Sequence, residues 1–303
     1  YRNKARLIYE FDPADVLQSN MLPAMARSFR SAGFQWATQF AWDPMATAGN
    51  NTEYQTHYLN LAYYPGKAVS LLIASRVFRR IPRLYSSAGY PADSAFDVFR
   101  VSYKNNLSEM NSGEEFYYTN NTETTPVSES LLKHVAGVGS SSIVKYDGSG
   151  AYFLDKLEDG IWRLELMPDA IHINDPFGRA SPKREVTRIE WNTYAMDIRL
   201  SNLGNGFSIQ PLNEGNSLQP SVNESKFNVA PGAYLLVRAG KEASQWHGSS
   251  TMGHIKLNEF VAPPESVSEP ALAFHPPMNA VAGKPLTLRL QAAGIGANDT
   301  IYL

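Results

Sequence analysis

The chain has 303 residues, 43% of them apolar and 12% aromatic, with 27 basic and 29 acidic side chains and a formal charge of −2. That length and apolar content fill real cores and exclude a disordered chain, and the near-neutral charge gives no electrostatic basis for binding nucleic acid or an anionic membrane. Zero cysteine excludes disulfides and thiolate metal sites and fits a secreted or periplasmic protein.

The first element is the β-prone run LIYEFD, residues 7–12, which ends in two carboxylates, Glu10 and Asp12. Strict alternation places Arg6, Ile8, Glu10 and Asp12 on one face of this strand and Leu7, Tyr9 and Phe11 on the other, the second face being the one expected to pack on helices. Asp15 is positioned to cap a helix whose Leu17, Met21, Met25 and Phe29 recur at helical spacing, and Gly33 supplies its stop. The next run, FQWATQFAWDP, alternates bulky Phe34, Trp36, Thr38, Phe40 and Trp42 with small or polar Gln35, Ala37, Gln39, Ala41 and Asp43. After a polar loop, Pro65 opens a helix with an apolar stripe of Val69, Leu72, Ile73 and Val77, and Pro82 ends it. Residues 1–82 thus read strand, helix, strand, loop, helix.

From about residue 95 the signal changes to short alternating strands punctuated by Gly, Asn and Pro. The segment 150–175 holds strands around the Asp159–Gly160 turn, and further strands are expected at 185–191, 194–200, 206–212, 225–229 and 232–238. A Pro/Ser/Glu linker follows at 260–274, and the last residues read as opening strands of another module.

These elements resemble the clan-A glycoside hydrolases: LIYEFD is similar to their penultimate barrel strand, GFQWATQFAWD to the last, and NTEYQTHYLNLAYYPGKAVSLLIASRVFRRIPR to the final loop and helix. The resemblance covers about the first quarter of the chain. It implies an α/β plus all-β chain: the last two β/α units of a (β/α)8 barrel, an antiparallel β-sandwich and the start of an immunoglobulin-like module. The corresponding boundaries are 1–94 for the barrel portion, 95–243 for the sandwich, 244–270 for a linker with a short strand, and 271–303 for the incomplete immunoglobulin-like module. It also implies a secreted, periplasmic or cell-surface bacterial protein that hydrolyses a polysaccharide or oligosaccharide with retention, without a cofactor.

By the same resemblance Glu10 is the nucleophile and Trp42 the aromatic platform for the sugar at the cleavage point. Alternation sets Gln39 and Asp43 inward and Trp42 with the helix-facing set, so a platform role for Trp42 requires a bend or bulge near the strand's end. A retaining enzyme needs a second carboxyl roughly 5 Å from the first, one ionised and one protonated. In the clan that acid lies on the fourth strand, so it is expected outside this chain segment, upstream of Tyr1 or on a separate piece of the same protein. The alternative is a catalytically inactive glycan-binding or assembly protein on the same scaffold, partnered by carbohydrate or other cell-surface proteins.

Other motifs have bland readings. Glu53 and His57 have ligand spacing, but no third ligand is near, and contacts from Asn51, Glu53, Tyr54 and His57 to sugar suit a loop bordering a pocket better than a metal does. The Arg76, Arg79, Arg80 and Arg83 group sits at a helix C-terminus, where cations favour the macrodipole. Trp162 inside IWRLEL reads as a core residue rather than a sugar platform. No run approaches the roughly 18 apolar residues that span a bilayer.

Overall fold

The computed structural model describes residues 4–13, 18–52, 57–86, 94–266, 271–275, 282–283 and 289–293. In chain order the elements are β1 (Leu7–Phe11), α1 (Met21–Ser31), β2 (Trp36–Gln39), the short α2 (Met45–Ala48) and α3 (Pro65–Arg80). Strands then dominate: β3 (Ser94–Phe96), β4 (Phe99–Ser102), β5 (Leu107–Asn111), β6 (Glu115–Tyr118), β7 (His134–Gly137), β8 (Val144–Tyr146), β9 (Tyr152–Glu158) and β10 (Ile161–Leu166). They continue as β11 (Asp169–His172), β12 (Thr187–Glu190), β13 (Tyr194–Ile198), β14 (Phe207–Pro211), β15 (Lys226–Val229) and β16 (Gly232–Arg238). Four short strands close the series: β17 (Thr251–Met252), β18 (Ile255–Lys256), β19 (Ala271–His275) and β20 (Arg289–Ala293).

The centre of the molecule is a nine-stranded sheet in the order β14-β16-β10-β9-β7-β6-β5-β4-β3. It is mixed, because β6 and β7 run parallel while its other neighbours are antiparallel. Alternation decides what each face buries. In β10, Trp162, Leu164 and Leu166 face a core completed by the three-stranded sheet β15-β13-β8, through Tyr146, Met196, Ile198, Phe227 and Val229. Trp162 is fully buried. Residues Ile161 and Arg163 point to the other face, where Arg163 donates to the carbonyls of Leu257 (3.0 Å) and Glu259 (2.6 Å) and pairs with Glu165 at 2.6 Å. A single buried guanidinium therefore fastens the 250–260 segment onto the sheet.

At the β3–β6 end, one face of the sheet is covered by α1 and α3. Leu22, Ala26, Val69, Ile73 and Val77 share a core with Phe96, Phe99, Met110 and Tyr117. The stripe of α3 forms because Val69, Ile73 and Val77 recur every fourth residue, and Pro65 occupies its first turn. Gly33 has φ +83°, the left-handed conformation that ends α1 cheaply only for glycine. Arg30 ties the two helices to β2, donating to Ile81 O (2.7 Å) and Phe34 O (2.9 Å).

The expected barrel is corrected here. Strands β1 and β2 pair parallel, but they form a sheet of two, and no barrel closes among the described residues. The described residues are mostly β-sheet with three α-helices, and the expected antiparallel sandwich is a mixed nine-stranded sheet with smaller sheets around it. Barrel closure needs strands enough to match tilt and stagger around a ring, whereas α1 and α3 bury one side against the large sheet and the other against Ile8, Phe11 and Ala37. The expected cap Asp15 and most of the 271–303 module lie outside the described residues; of that module β19 and β20 are described, and they pair antiparallel.

One polar network joins α3 to the sheet. Arg76 pairs with Glu115 at 2.6 Å, Tyr117 donates to the same carboxylate at 2.8 Å, and His134 meets its cross-strand partner Asp155 at 2.8 Å. The hydrogen bond to Asp155 raises the His134 pKa above 6.5, helped by Glu115 and opposed by burial and Arg76. A raised imidazole pKa stabilises the fold fully below pH 6.5, and that contribution fades as pH rises through the folded value. Both groups are partly exposed, so screening holds the effect below about 1 kcal/mol. Urea midpoints should fall between about pH 6 and about pH 9 by more in the wild type than in His134→Gln.

Candidate functional site

The site lies where the two parallel strands end. Between Ile8 and Phe11 strand β1 spends three steps while β2 spends two from Ala37 to Gln39. The extra residue is a bulge that turns Phe11 to the same side as Ile8, onto the helices, where its ring meets Phe29 edge-on at 5.3 Å. The faces expected from strict alternation are corrected in part: Ile8 joins Phe11 on the helix side, and Leu7 and Tyr9, expected there, are exposed with Glu10. In β2 the assignment is likewise reversed, with Ala37 against the helix core and Trp36 and Phe40 exposed.

Glu10 thus stands in solvent, beside Tyr9, which is 76% exposed. Asp12, two residues on, is held differently. Gln39 Nε2 donates to it at 3.2 Å and Lys67 Nζ lies 3.8 Å away. Burial pushes the Asp12 carboxyl up, offset in part by the Lys67 cation, the Gln39 hydrogen bond and His57. Lys67 is itself buried in the first turn of α3 and donates to Pro13 O at 2.8 Å and His57 O at 2.7 Å. Methionine at position 67 leaves both carbonyls bare and Asp12 without its cation, so chemical denaturation should show a loss of about 2 kcal/mol.

The loop after β2 is built around Asp43, which has no exposed surface. Its Oδ2 accepts the Leu59 N–H at 2.6 Å, its own N–H donates to Leu59 O at 2.7 Å, and Asn60 donates to its carbonyl at 2.9 Å. His57 Nδ1 lies 3.8 Å from Asp43 Oδ1, and its ring meets Phe40 edge-on at 4.9 Å. The peptide bond between Phe40 and Ala41 is cis. Asn51, also buried, has φ 47°, and burial pushes the pKa of the Tyr58 phenol up.

The structure therefore separates the residues singled out in the sequence. Glu10 and Trp42, the latter 51% exposed, face solvent at the strand ends. Gln39 is half-buried and holds Asp12. Asp43, Asn51 and His57 lie beneath the surface, Asp43 within the hydrogen bonds that shape the loop. Glu53 and Tyr54 fall outside the described residues. Beside the rim, a groove of about 490 Å³ runs between β2 and α3, lined by Trp36, Gln39, Leu71, Phe78 and Arg79 among others.

Sequence reasoning passed over Lys67. Its signal was a cation in the first turn of a helix, where the macrodipole disfavours positive charge, so that it needs anionic or carbonyl partners. Among the described residues no group of three or more His, Asp or Glu side chains is placed to hold a metal ion, and no helix is long and apolar enough to cross a membrane. No family model, no curated protein and no solved structure matches the chain.

Proposed function

We propose that this chain belongs to a secreted, periplasmic or cell-surface glycoside hydrolase and takes part in retaining hydrolysis of a polysaccharide or oligosaccharide. Glu10 is the nucleophile, and the acid/base is supplied from outside this chain segment. The observation that carries this reading is the pairing of a solvent-facing carboxylate, Glu10, with exposed aromatic rings at the ends of two parallel strands. Ligands of sheets with parallel strands bind at the carboxyl ends of the strands, where loops gather polar groups.

In that reaction the ionised Glu10 carboxylate attacks the anomeric carbon while the second carboxyl, protonated, releases the leaving oxygen. Water then cleaves the glycosyl ester as the acid, now a base, takes its proton. Trp42 offers a ring face to the sugar, and Asp12 is kept from the chemistry by Gln39 and Lys67. The test is incubation of the complete protein with aryl glycosides, following product by proton NMR. Release of the sugar with its original anomeric configuration supports the reading, and an inverted first product contradicts it.

A second reading, a glycan-binding or assembly protein without turnover, is favoured by the exposure of Tyr9, Trp36, Phe40 and Trp42 together. Rings of this kind hold sugars without any carboxylate. Binding of a polysaccharide with no hydrolysis, unchanged by Glu10→Gln, would select it.

A further inference from the structure

The connection between β11 and β12, residues 173–186, is long for a link between two paired strands, and loops of this length in compact domains are usually either functional or disordered linkers. It does not hang free. Asn50 Nδ2 donates to Pro182 O and Arg184 O, both at 3.1 Å, and the N–H groups of Val186 and Thr187 donate to Gly49 O at 2.7 and 3.0 Å. The Tyr58 hydroxyl donates to Pro176 O, and Tyr64 stacks on His172 with ring centres 5.6 Å apart. Each of these partners belongs to the segment between β2 and α3, the same segment that carries Asp43 and His57. The β-rich part of the chain is thus fixed against the rim of the candidate site.

Within the loop, Arg184 donates to the carbonyls of Asp175 and Gly178. Gly178 permits this approach, since a Cβ there would lie 2.7 Å from the guanidinium. Asp175 accepts the Phe177 N–H at 3.0 Å. This bracing holds Phe177 with 67% of its surface exposed. Single exposed apolar residues are common and need no explanation. Phe177 differs in being held at a backbone braced from both sides, one residue from the carbonyl that Tyr58 grips beside His57.

We propose that Phe177 is a specificity-determining residue: a stacking platform for a sugar unit remote from the cleaved bond, on a wall contributed by the 173–186 loop. The inference rests on the carbohydrate-hydrolysing reading above. Ring stacking is worth about 1 kcal/mol, enough for about a fivefold preference for substrates long enough to reach it.

The experiment uses the complete protein and p-nitrophenyl cello-, laminari-, manno- and xylo-oligosaccharides of increasing length. In the wild type kcat/KM should climb with length. In Phe177→Ala the ratio of kcat/KM between the longest and shortest substrates should fall about fivefold, and Phe177→Trp should restore most of it. A ratio unmoved in Phe177→Ala, or one that falls equally in Phe177→Trp, overturns the assignment while leaving the proposed reaction standing. Hydrolysis of none of these substrates by the wild type overturns the proposed reaction, and this inference with it.

Discussion

Glutamine in place of Glu10 should lower kcat/KM of the complete protein on the order of 10⁴-fold, with no change in thermal unfolding. The size follows from the role, because an amide cannot form the glycosyl ester and nothing at the strand end can take its place. Asp12 is the nearest carboxyl in sequence, but its oxygen is engaged by Gln39 and it shares its surroundings with the buried Lys67. The neutrality of folding follows from position. Glu10 is exposed, and removing charge from an exposed side chain usually changes stability by less than about 0.5 kcal/mol. A large loss of activity at unchanged stability separates a chemical role from a structural one. Equal activity in the variant would remove Glu10 from the reaction.

Methionine in place of Arg163 should cost about 3 kcal/mol and lower the melting temperature by roughly 6 to 12 °C. Arg163 is almost wholly buried on the face of β10 opposite Trp162, and its fork meets two carbonyls and one carboxylate at once. Methionine fills much of the volume but donates nothing. The carbonyls of Leu257 and Glu259 lose their donor, and Glu165 loses its cation. Because two carbonyls of the 250–260 segment lose their donor, protease cleavage there should accelerate before global unfolding does. Lysine, which carries the charge without the fork, should recover part of the stability and little of the protection. Wild-type cleavage rates in Arg163→Met would show that the segment is held by its apolar contacts instead.

Much of the local structure was legible from spacing. The stripe Val69, Ile73 and Val77 between Pro65 and Pro82 marks α3, and the Asp159–Gly160 turn marks the β9–β10 hairpin. Alternation at Met196 and Ile198, or at Phe227 and Val229, marks strands that bury one face. What spacing could not supply was how the strands associate. That β7 lies parallel to β6, and that nine strands join into one mixed sheet, are outcomes of long-range pairing with no local mark. The barrel expectation failed at this level, since a strand followed by a helix and a second strand does not state what covers the helices. The faces of β1 were misread for a different reason: the Ile8 side of the strand, not the side of Leu7 and Tyr9, meets the helices, and one bulged residue between Ile8 and Phe11 brings Phe11 to that side as well.

The candidate site was legible in part. Glu10 and Trp42 stand out in the sequence as a carboxylate and an aromatic at strand ends, and both are exposed. Asp43, Asn51 and His57 stood out for the same polar character, yet their burial makes them supports for the loop. Residue type alone does not distinguish a polar group that meets a ligand from one that satisfies backbone. The bracing of the 173–186 loop by Asn50 and Tyr58 joins positions more than a hundred residues apart, a separation at which no sequence spacing carries information.

The most direct measurement is covalent trapping. The complete protein, incubated with 2-deoxy-2-fluoro aryl glycosides and digested, should yield one modified peptide, the one containing LIYEFD, with the fluoro-sugar esterified to Glu10. Turnover of the parent glycoside with no trapped ester, or an ester on any other carboxylate, would contradict the account.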